Sequence, residues 1–217
     1  MRPSMFMGGS GLPPALFVGT ASQYVAGEGW VALNLAGIAG LQVGDYVLAF
    51  TISGPGASYG VINPASGWSV DNYRWTPGYG YPSTVFHRRL VSLTAPSIYM
   101  YGPSGVVLVA YRGASRAARK VISYEDDGNS IHVVPGFVRQ NDCVGVVCQI
   151  WDRDVGGTDF TVSSGWTRRI MAAPFVEAAI ADSLPRNAYV DGAPMTWGGL
   201  GVDGPYAEVA MMYELRI

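Results

Sequence analysis

Gly44-Asp45-Tyr46-Val47-Leu48-Ala49-Phe50 opens a pattern that the chain states twice. The first copy continues through Ser66-Gly67-Trp68 to Val107-Leu108-Val109-Ala110-Tyr111-Arg112. The second runs through Asn141-Asp142-Cys143-Val144-Gly145-Val146-Val147, Ser164-Gly165-Trp166 and Val209-Ala210-Met211-Met212-Tyr213. Asp45 precedes Trp68 by 23 positions, and Asp142 precedes Trp166 by 24. From tryptophan to tyrosine the step is 43 in one copy and 47 in the other. Three ordered marks at nearly matched spacing predict a duplicated β unit, with halves of about 15–113 and 114–217. Duplication points to a scaffold rather than to one asymmetric catalytic centre.

Working outward, short runs of branched and aromatic residues bounded by Gly and Pro read as strands at 15–21, 30–36 and 45–53. The clearest strands are 46–52, 106–111, 143–151 and 207–217. Val106-Val107-Leu108-Val109-Ala110 is apolar without a break, so it belongs to a central strand covered on both faces. Near the C-terminus Glu208, Glu214 and Arg216 alternate with Val209, Leu215 and Ile217, the pattern of a half-buried strand. Helical signal is scarce. Residues 114–122, with Arg116, Arg119 and Lys120 among alanines, offer one or two turns. For 174–184 a strand around 176–181 is favoured, because the repeat places it where 85–90 stands in the first copy. The expected fold is all-β: a single β-sandwich of jelly-roll or Greek-key type over 15–217, preceded by an extended arm at 1–14. Strands of the two halves are expected to mix in both sheets, because each half alone offers little apolar face.

Composition narrows the function. The chain has 217 residues, of which 49% are hydrophobic and only 14% charged, against about a quarter charged in ordinary domains. Its 29 glycines and 14 prolines set many turns, and its mean hydropathy is +0.19. Either the sandwich is simply apolar and well packed, or much of its surface is buried against other subunits; the second reading is preferred. A net charge of −2 gives no general attraction to phosphate backbones, so no nucleic-acid partner is expected. No run approaches the roughly 20 apolar residues of a membrane span, and Gly8, Gly9, Gly11, Pro13 and Pro14 interrupt any signal-peptide core. Cys143 and Cys148 sit in one strand at odd spacing, on opposite faces and too far apart to bridge. They read as buried hydrophobes in a chain made in a reducing compartment.

Chemical motifs are weak. Gly56-Ala57-Ser58-Tyr59-Gly60 matches a nucleophile elbow in letters, but it lacks the strand before and the helix after. Asp152-Arg153-Asp154 and Glu125-Asp126-Asp127-Gly128-Asn129 read as solvated turns rather than calcium loops. His87 and His132 have no sequence neighbour that would make either a ligand or a base. No catalytic residue, metal ligand or cofactor is expected. Long Gly/Pro-rich loops are expected at 54–64, 71–82 and 182–204. The second holds Tyr73, Arg74, Trp75, Tyr79 and Tyr81, rigid aromatic area with an arginine, the composition of an interaction hot spot. It is expected at one end of the sandwich, touching a neighbouring subunit or a host-surface ligand. Asp45, Asp142, Trp68 and Trp166 are read as structural marks, the tryptophans plugging the ends of the half-sandwiches.

Gly44-Asp45 with its apolar strand, Pro64-Ala65-Ser66-Gly67-Trp68, and the 106–109 strand with Ala110-Tyr111-Arg112-Gly113-Ala114 together resemble a diffuse group of phage and prophage virion proteins. In that group a GD-strand, SGW, strand-YRG pattern recurs in tail-fibre, baseplate and minor structural proteins. The resemblance covers 44–113 well and 142–213 more loosely, since the second copy lacks Arg-Gly after its tyrosine. It implies a non-enzymatic β-sandwich of the virion, made in the host cytoplasm, with other virion proteins as partners. A host-surface glycan or protein is a further expected contact. A homo-oligomer is expected, a trimer if the protein is a fibre. A capsid decoration protein is the rival within the class, and a secreted carbohydrate-binding or hydrolytic module the rival outside it.

Overall fold

A computed structural model describes residues 15–53, 58–63, 66–73, 82–125, 132–134, 144–152, 166–172, 176–183, 195–197 and 208–216. Among these the regular elements are strands, apart from one 3-10 turn at Leu35–Gly37. The first half contributes β1 (Leu16–Val25), β2 (Gly29–Ala32), β3 (Tyr46–Ser53) and β4 (Val61–Ile62). It continues with β5 (Ser69–Tyr73), β6 (Ser83–Arg89), β7 (Ser97–Met100) and β8 (Ser104–Arg112). The second half contributes β9 (Arg116–Glu125), β10 (His132–Val134), β11 (Val144–Asp152) and β12 (Trp166–Ala172). It ends with β13 (Val176–Ser183), β14 (Met195–Trp197) and β15 (Glu208–Arg216). The fold is an all-β sandwich. Among the described residues no helix is long and apolar enough to cross a membrane.

Strand order makes the duplication visible. One five-stranded antiparallel sheet runs β1-β8-β3-β6-β5; read from its matching edge, the other runs β9-β15-β11-β13-β12. Each strand has its counterpart at the same place. The small outer pairing β2-β7-β4 is matched by β10-β14. The expected mixing of halves is therefore wrong: each half builds its own sheet. Keeping each sheet within one half avoids closing still longer loops, although only β5-β6 and β12-β13 pair consecutive strands. Residues 113–115 alone separate β8 from β9, and Ser115 fastens that turn by donating its backbone N–H to the Arg216 carbonyl at 2.7 Å.

Alternation assigns the two faces of the first sheet. From β3, Tyr46, Leu48, Phe50 and Ile52 face the second sheet; from β8, Val107, Val109 and Tyr111 do the same. They meet Val144, Val146, Cys148, Ile180, Tyr213 and Leu215 in one buried cluster. The other face (Val47, Ala49, Val106, Leu108 and Ala110) packs under β2, β4 and β7 with Leu33, Leu35, Ile38, Ile62, Trp68, Ile98 and Met100. β8 is thus central and covered on both sides, which is why its sequence is apolar throughout. Cys148 is a buried thiol, pushed well above its ordinary pKa by burial. Cys143 lies outside the described residues.

Three further expectations are corrected. Residues 116–125 form β9, an edge strand along β15, where pairing overrides the weak helical preference of Ala, Arg and Lys. The loops expected at 54–64, 71–82 and 182–204 contain β4, the end of β5 and β14. Ladder register also moves one mark of the repeat. The residue after each tryptophan, Ser69 or Thr167, pairs with His87 or Asp182, then with Leu48 or Val146, then with Val109 or Tyr213. Tyr213 therefore matches Val109, and Arg216, next to Leu215, matches Arg112, next to Tyr111. The arginine thought missing from the second copy is present two positions along.

Candidate functional site

The repeated marks are joined by contacts. Gly44 takes φ +98°, which turns the chain so that the buried Asp45 carboxylate meets Arg112 from the end of β8. Arg112 forks onto it, Nε to Oδ1 at 2.9 Å and Nη2 to Oδ2 at 3.0 Å, while the Gln42 N–H donates to Oδ2 at 2.9 Å. Asp45 is 2% exposed at its side chain and Arg112 46%. Arg112 also donates to the Gly40 carbonyl at 2.9 Å, and Asp45 holds the guanidinium above its ordinary pKa. Gly67 stands at φ +71°, where a Cβ would come within 3.0 Å of the Arg88 guanidinium, which donates to the Ser66 carbonyl. That turn drops Trp68 into the outer cluster. Trp166, half-buried, opens β12. Asp142 lies outside the described residues.

A second set of polar groups spans the gap between the sheets. Tyr111 on β8 donates its phenol to Asp182 Oδ2 on β13 at 2.8 Å, and Arg169 on β12 donates Nε to both Asp182 oxygens at 2.9 Å. Arg169 also lies 4.2 Å over the Phe17 ring of β1. In the opposite direction Tyr213 on β15 donates to Asp71 Oδ2 on β5 at 2.8 Å. Asp71 is 3.4 Å from His87 Nε2, and His87 Nδ1 is 2.8 Å from the Tyr46 hydroxyl. His87 therefore has partners that sequence reading denied it, because β5, β6 and β3 bring together residues far apart in the chain. Burial raises the Tyr46 phenol pKa, against a hydrogen bond from the Ala117 backbone that lowers it. Burial first, then the Asp182 charge and hydrogen bond, push Tyr111 well above its ordinary value. Burial also raises Asp182, with Arg169 and Tyr111 opposing. Tyr46, Tyr111, Tyr213 and Asp182 are buried, and the Tyr111–Asp182 and Tyr213–Asp71 bonds brace one sheet against the other.

The surface offers a different chemistry. On the outer face of β2-β7-β4, Trp30 lies directly opposite Tyr99, and Tyr99 opposite Val61. The Trp30 and Tyr99 ring centroids are 5.4 Å apart, and Tyr101, two residues further along the chain, lies beside the row at 4.8 Å from Tyr99, both contacts edge-on. Tyr99 donates to Glu28 Oε1 at 2.5 Å, and that bond raises the phenol pKa. Trp30 is 59% exposed, and Val61 and Tyr101 are also exposed. The row was missed in the sequence, although Tyr99-Met100-Tyr101 alternates outward, inward, outward once β7 is placed.

Of the expected interaction residues, Tyr73 ends β5, paired with Ser83 at one end of the first sheet. Arg74, Trp75, Tyr79 and Tyr81 lie outside the described residues. Chain reversals at 25–29 and 100–104 lie at that same sheet end, since Val25 pairs with Ser104 and Ser104 with Ser53. The reversals that carry Tyr101 and Glu28 thus share a sheet end with Tyr73, which stands on β5 at the edge opposite β1. Among the described residues no group of three or more His, Cys, Asp and Glu could hold a metal ion. Comparison with protein-family models, with curated proteins and with solved structures finds no match to this chain.

Proposed function

We propose that this chain is a non-enzymatic structural protein of a bacteriophage virion, a component of the tail tip, baseplate or a fibre, working through contacts with other virion proteins and copies of itself. The observation that carries this reading is the resemblance pattern, supported by how its parts meet. Asp45 of the GD turn is held by Arg112 of the YRG end, and Gly67 of SGW packs against Arg88. In the first copy the pattern thus ties one unit together, and the strand order of that unit recurs in the second. Low charge and exposed Leu16, Val43, Val70, Val91 and Leu93 suit a protein that finishes its surface in an assembly. Capsid decoration is the rival placement.

The test is particle composition. Particles purified from a lysate of the source are examined by mass spectrometry and by immunogold labelling with antibody to this chain. Label at the tail tip or along fibres supports the reading, label over the head moves the protein to capsid decoration, and a chain missing from pure particles overturns it. The reading as a carbohydrate-binding module is favoured by one specific observation, the exposed Trp30 row.

A further inference from the structure

We propose that the outer face of β2-β7-β4 is a saccharide-binding strip, with Trp30 as the stacking surface and Glu28 as the hydroxyl acceptor. Size comes first. The face spans strands of 4, 4 and 2 residues. At about 4.8 Å between strands and about 3.3 Å per residue, this gives on the order of 200 Å². A stable protein interface buries about 800 Å² on each partner. The strip alone is too small to hold a second folded chain, and its size suits a short oligomeric ligand.

Chemistry selects among small ligands. A pyranose ring presents a face of C–H bonds and a rim of hydroxyls. The C–H face requires an open aromatic surface, and the hydroxyls require fixed acceptors and donors. Trp30 offers the largest aromatic surface on this face and is more than half exposed. Glu28 is held in place by the Tyr99 phenol. A carboxylate has about four lone-pair sites, so acceptor positions remain on a group that is already oriented. The phenol of Tyr101, two residues past Tyr99 along the chain, adds a donor beside the row. Trp30, Tyr99 and Val61 lie in line across three strands, perpendicular to them, so the ligand runs along the row as a chain. A compact organic cation calls for ring faces turned on it from several sides; an open row on a sheet surface supplies one side. Binding here does not depend on the virion reading, since particle composition and saccharide binding are read out separately.

The experiment is a titration of the ¹⁵N-labelled full chain with cellohexaose, maltohexaose, mannohexaose and chitohexaose. Tetramethylammonium chloride serves as the cation probe, and the Trp30 indole N–H, identified by its loss in Trp30→Ala, is followed. At least one hexaose should move that resonance saturably, with its monosaccharide weaker. Trp30→Ala, read on backbone amides of β2 and β7, should weaken binding by roughly tenfold or more, and Glu28→Gln should weaken it while leaving the spectrum folded. The proposal is overturned if no hexaose moves the resonance at about 10 mM, a concentration that detects even affinities weaker than millimolar. A response to tetramethylammonium alone, or wild-type affinity in Glu28→Gln, also overturns it. So does a Trp30→Ala chain that keeps its saccharide affinity but sediments as a smaller species, which makes the row an interface between copies.

Discussion

Tyr111→Phe removes one oxygen and tests the bracing between the two sheets. Tyr111 is 1% exposed, and its phenol donates at 2.8 Å to a carboxylate that is itself buried. A hydrogen bond to a charged group contributes about 1.5–3 kcal/mol. Phenylalanine keeps the ring and its edge contact with Phe17, 6.0 Å between centroids, so no large cavity opens. Asp182 keeps Arg169, which places the expected loss near 2 kcal/mol. For a chain of this length each kcal/mol is worth roughly 2–4 °C, so Tm should fall by about 4–8 °C. Tyr213→Phe removes the reciprocal brace, but its acceptor Asp71 is 30% exposed at its side chain, and water can replace the phenol. That variant should lose about 0.5–1 kcal/mol. The two bonds share no residue, so the double variant should lose the sum to within about 0.5 kcal/mol. Differential scanning calorimetry of the four proteins reads this out. A Tyr111→Phe chain with unchanged Tm, or one less affected than Tyr213→Phe, refutes the reasoning.

Other outcomes follow from the same geometry. Arg112→Met leaves the Asp45 carboxylate buried with the Gln42 N–H. Losing one partner of a fully buried pair costs about 3–5 kcal/mol, and because Arg112 is nearly half exposed about 2–3 kcal/mol is expected, checked by urea unfolding. Gly67→Ala must adopt a left-handed backbone, at about 1–2 kcal/mol, and must also displace Arg88; the same denaturation should show a lower midpoint with an unchanged slope. Alkaline stability should report the buried phenols. Tyr46 and Tyr111 hold their protons in the folded chain at pH values where the unfolded chain loses them, so their contribution is complete below about pH 10 and is lost as pH rises beyond. Asp182 carries the same sign at acid pH: its contribution is present below the ordinary carboxylate range and fades as pH rises through its raised value. Tyr111→Phe should flatten the alkaline decline, measured as Tm against pH.

Much of the frame is legible in the chain. The unbroken Val106 to Ala110 run marks a strand with apolar layers on both sides, and β8 has them. The doubled marks anticipate two copies of one β unit, though not that each copy would form its own sheet, and the strand expected at 176–181 is β13. What failed has physical causes. Which sheet a strand joins depends on closing loops between apolar faces, and periodicity within a strand carries no such information. Residues 116–125 carry local helical preference, which pairing with β15 overrides. The Tyr213 mark slipped by two because matching letters ignores ladder register, and only the pairing of Thr167, Asp182 and Val146 reveals the shift. The Trp30 row stayed hidden because Glu28, Trp30, Val61, Tyr99 and Tyr101 come from three separate stretches. His87 acquired Asp71 and Tyr46 in the same way.

The central claim is that two copies of one β unit, each its own sheet, are held as a single body by a shared core and crossed tyrosine braces. Scanning calorimetry of the wild-type chain at neutral pH tests this most directly. At roughly 0.7 kcal/mol per residue near 60 °C, its 217 residues should absorb about 150 kcal/mol in one transition whose van't Hoff and calorimetric enthalpies agree. Two resolved transitions of about half that enthalpy each would mean that the halves unfold independently, and would contradict the account.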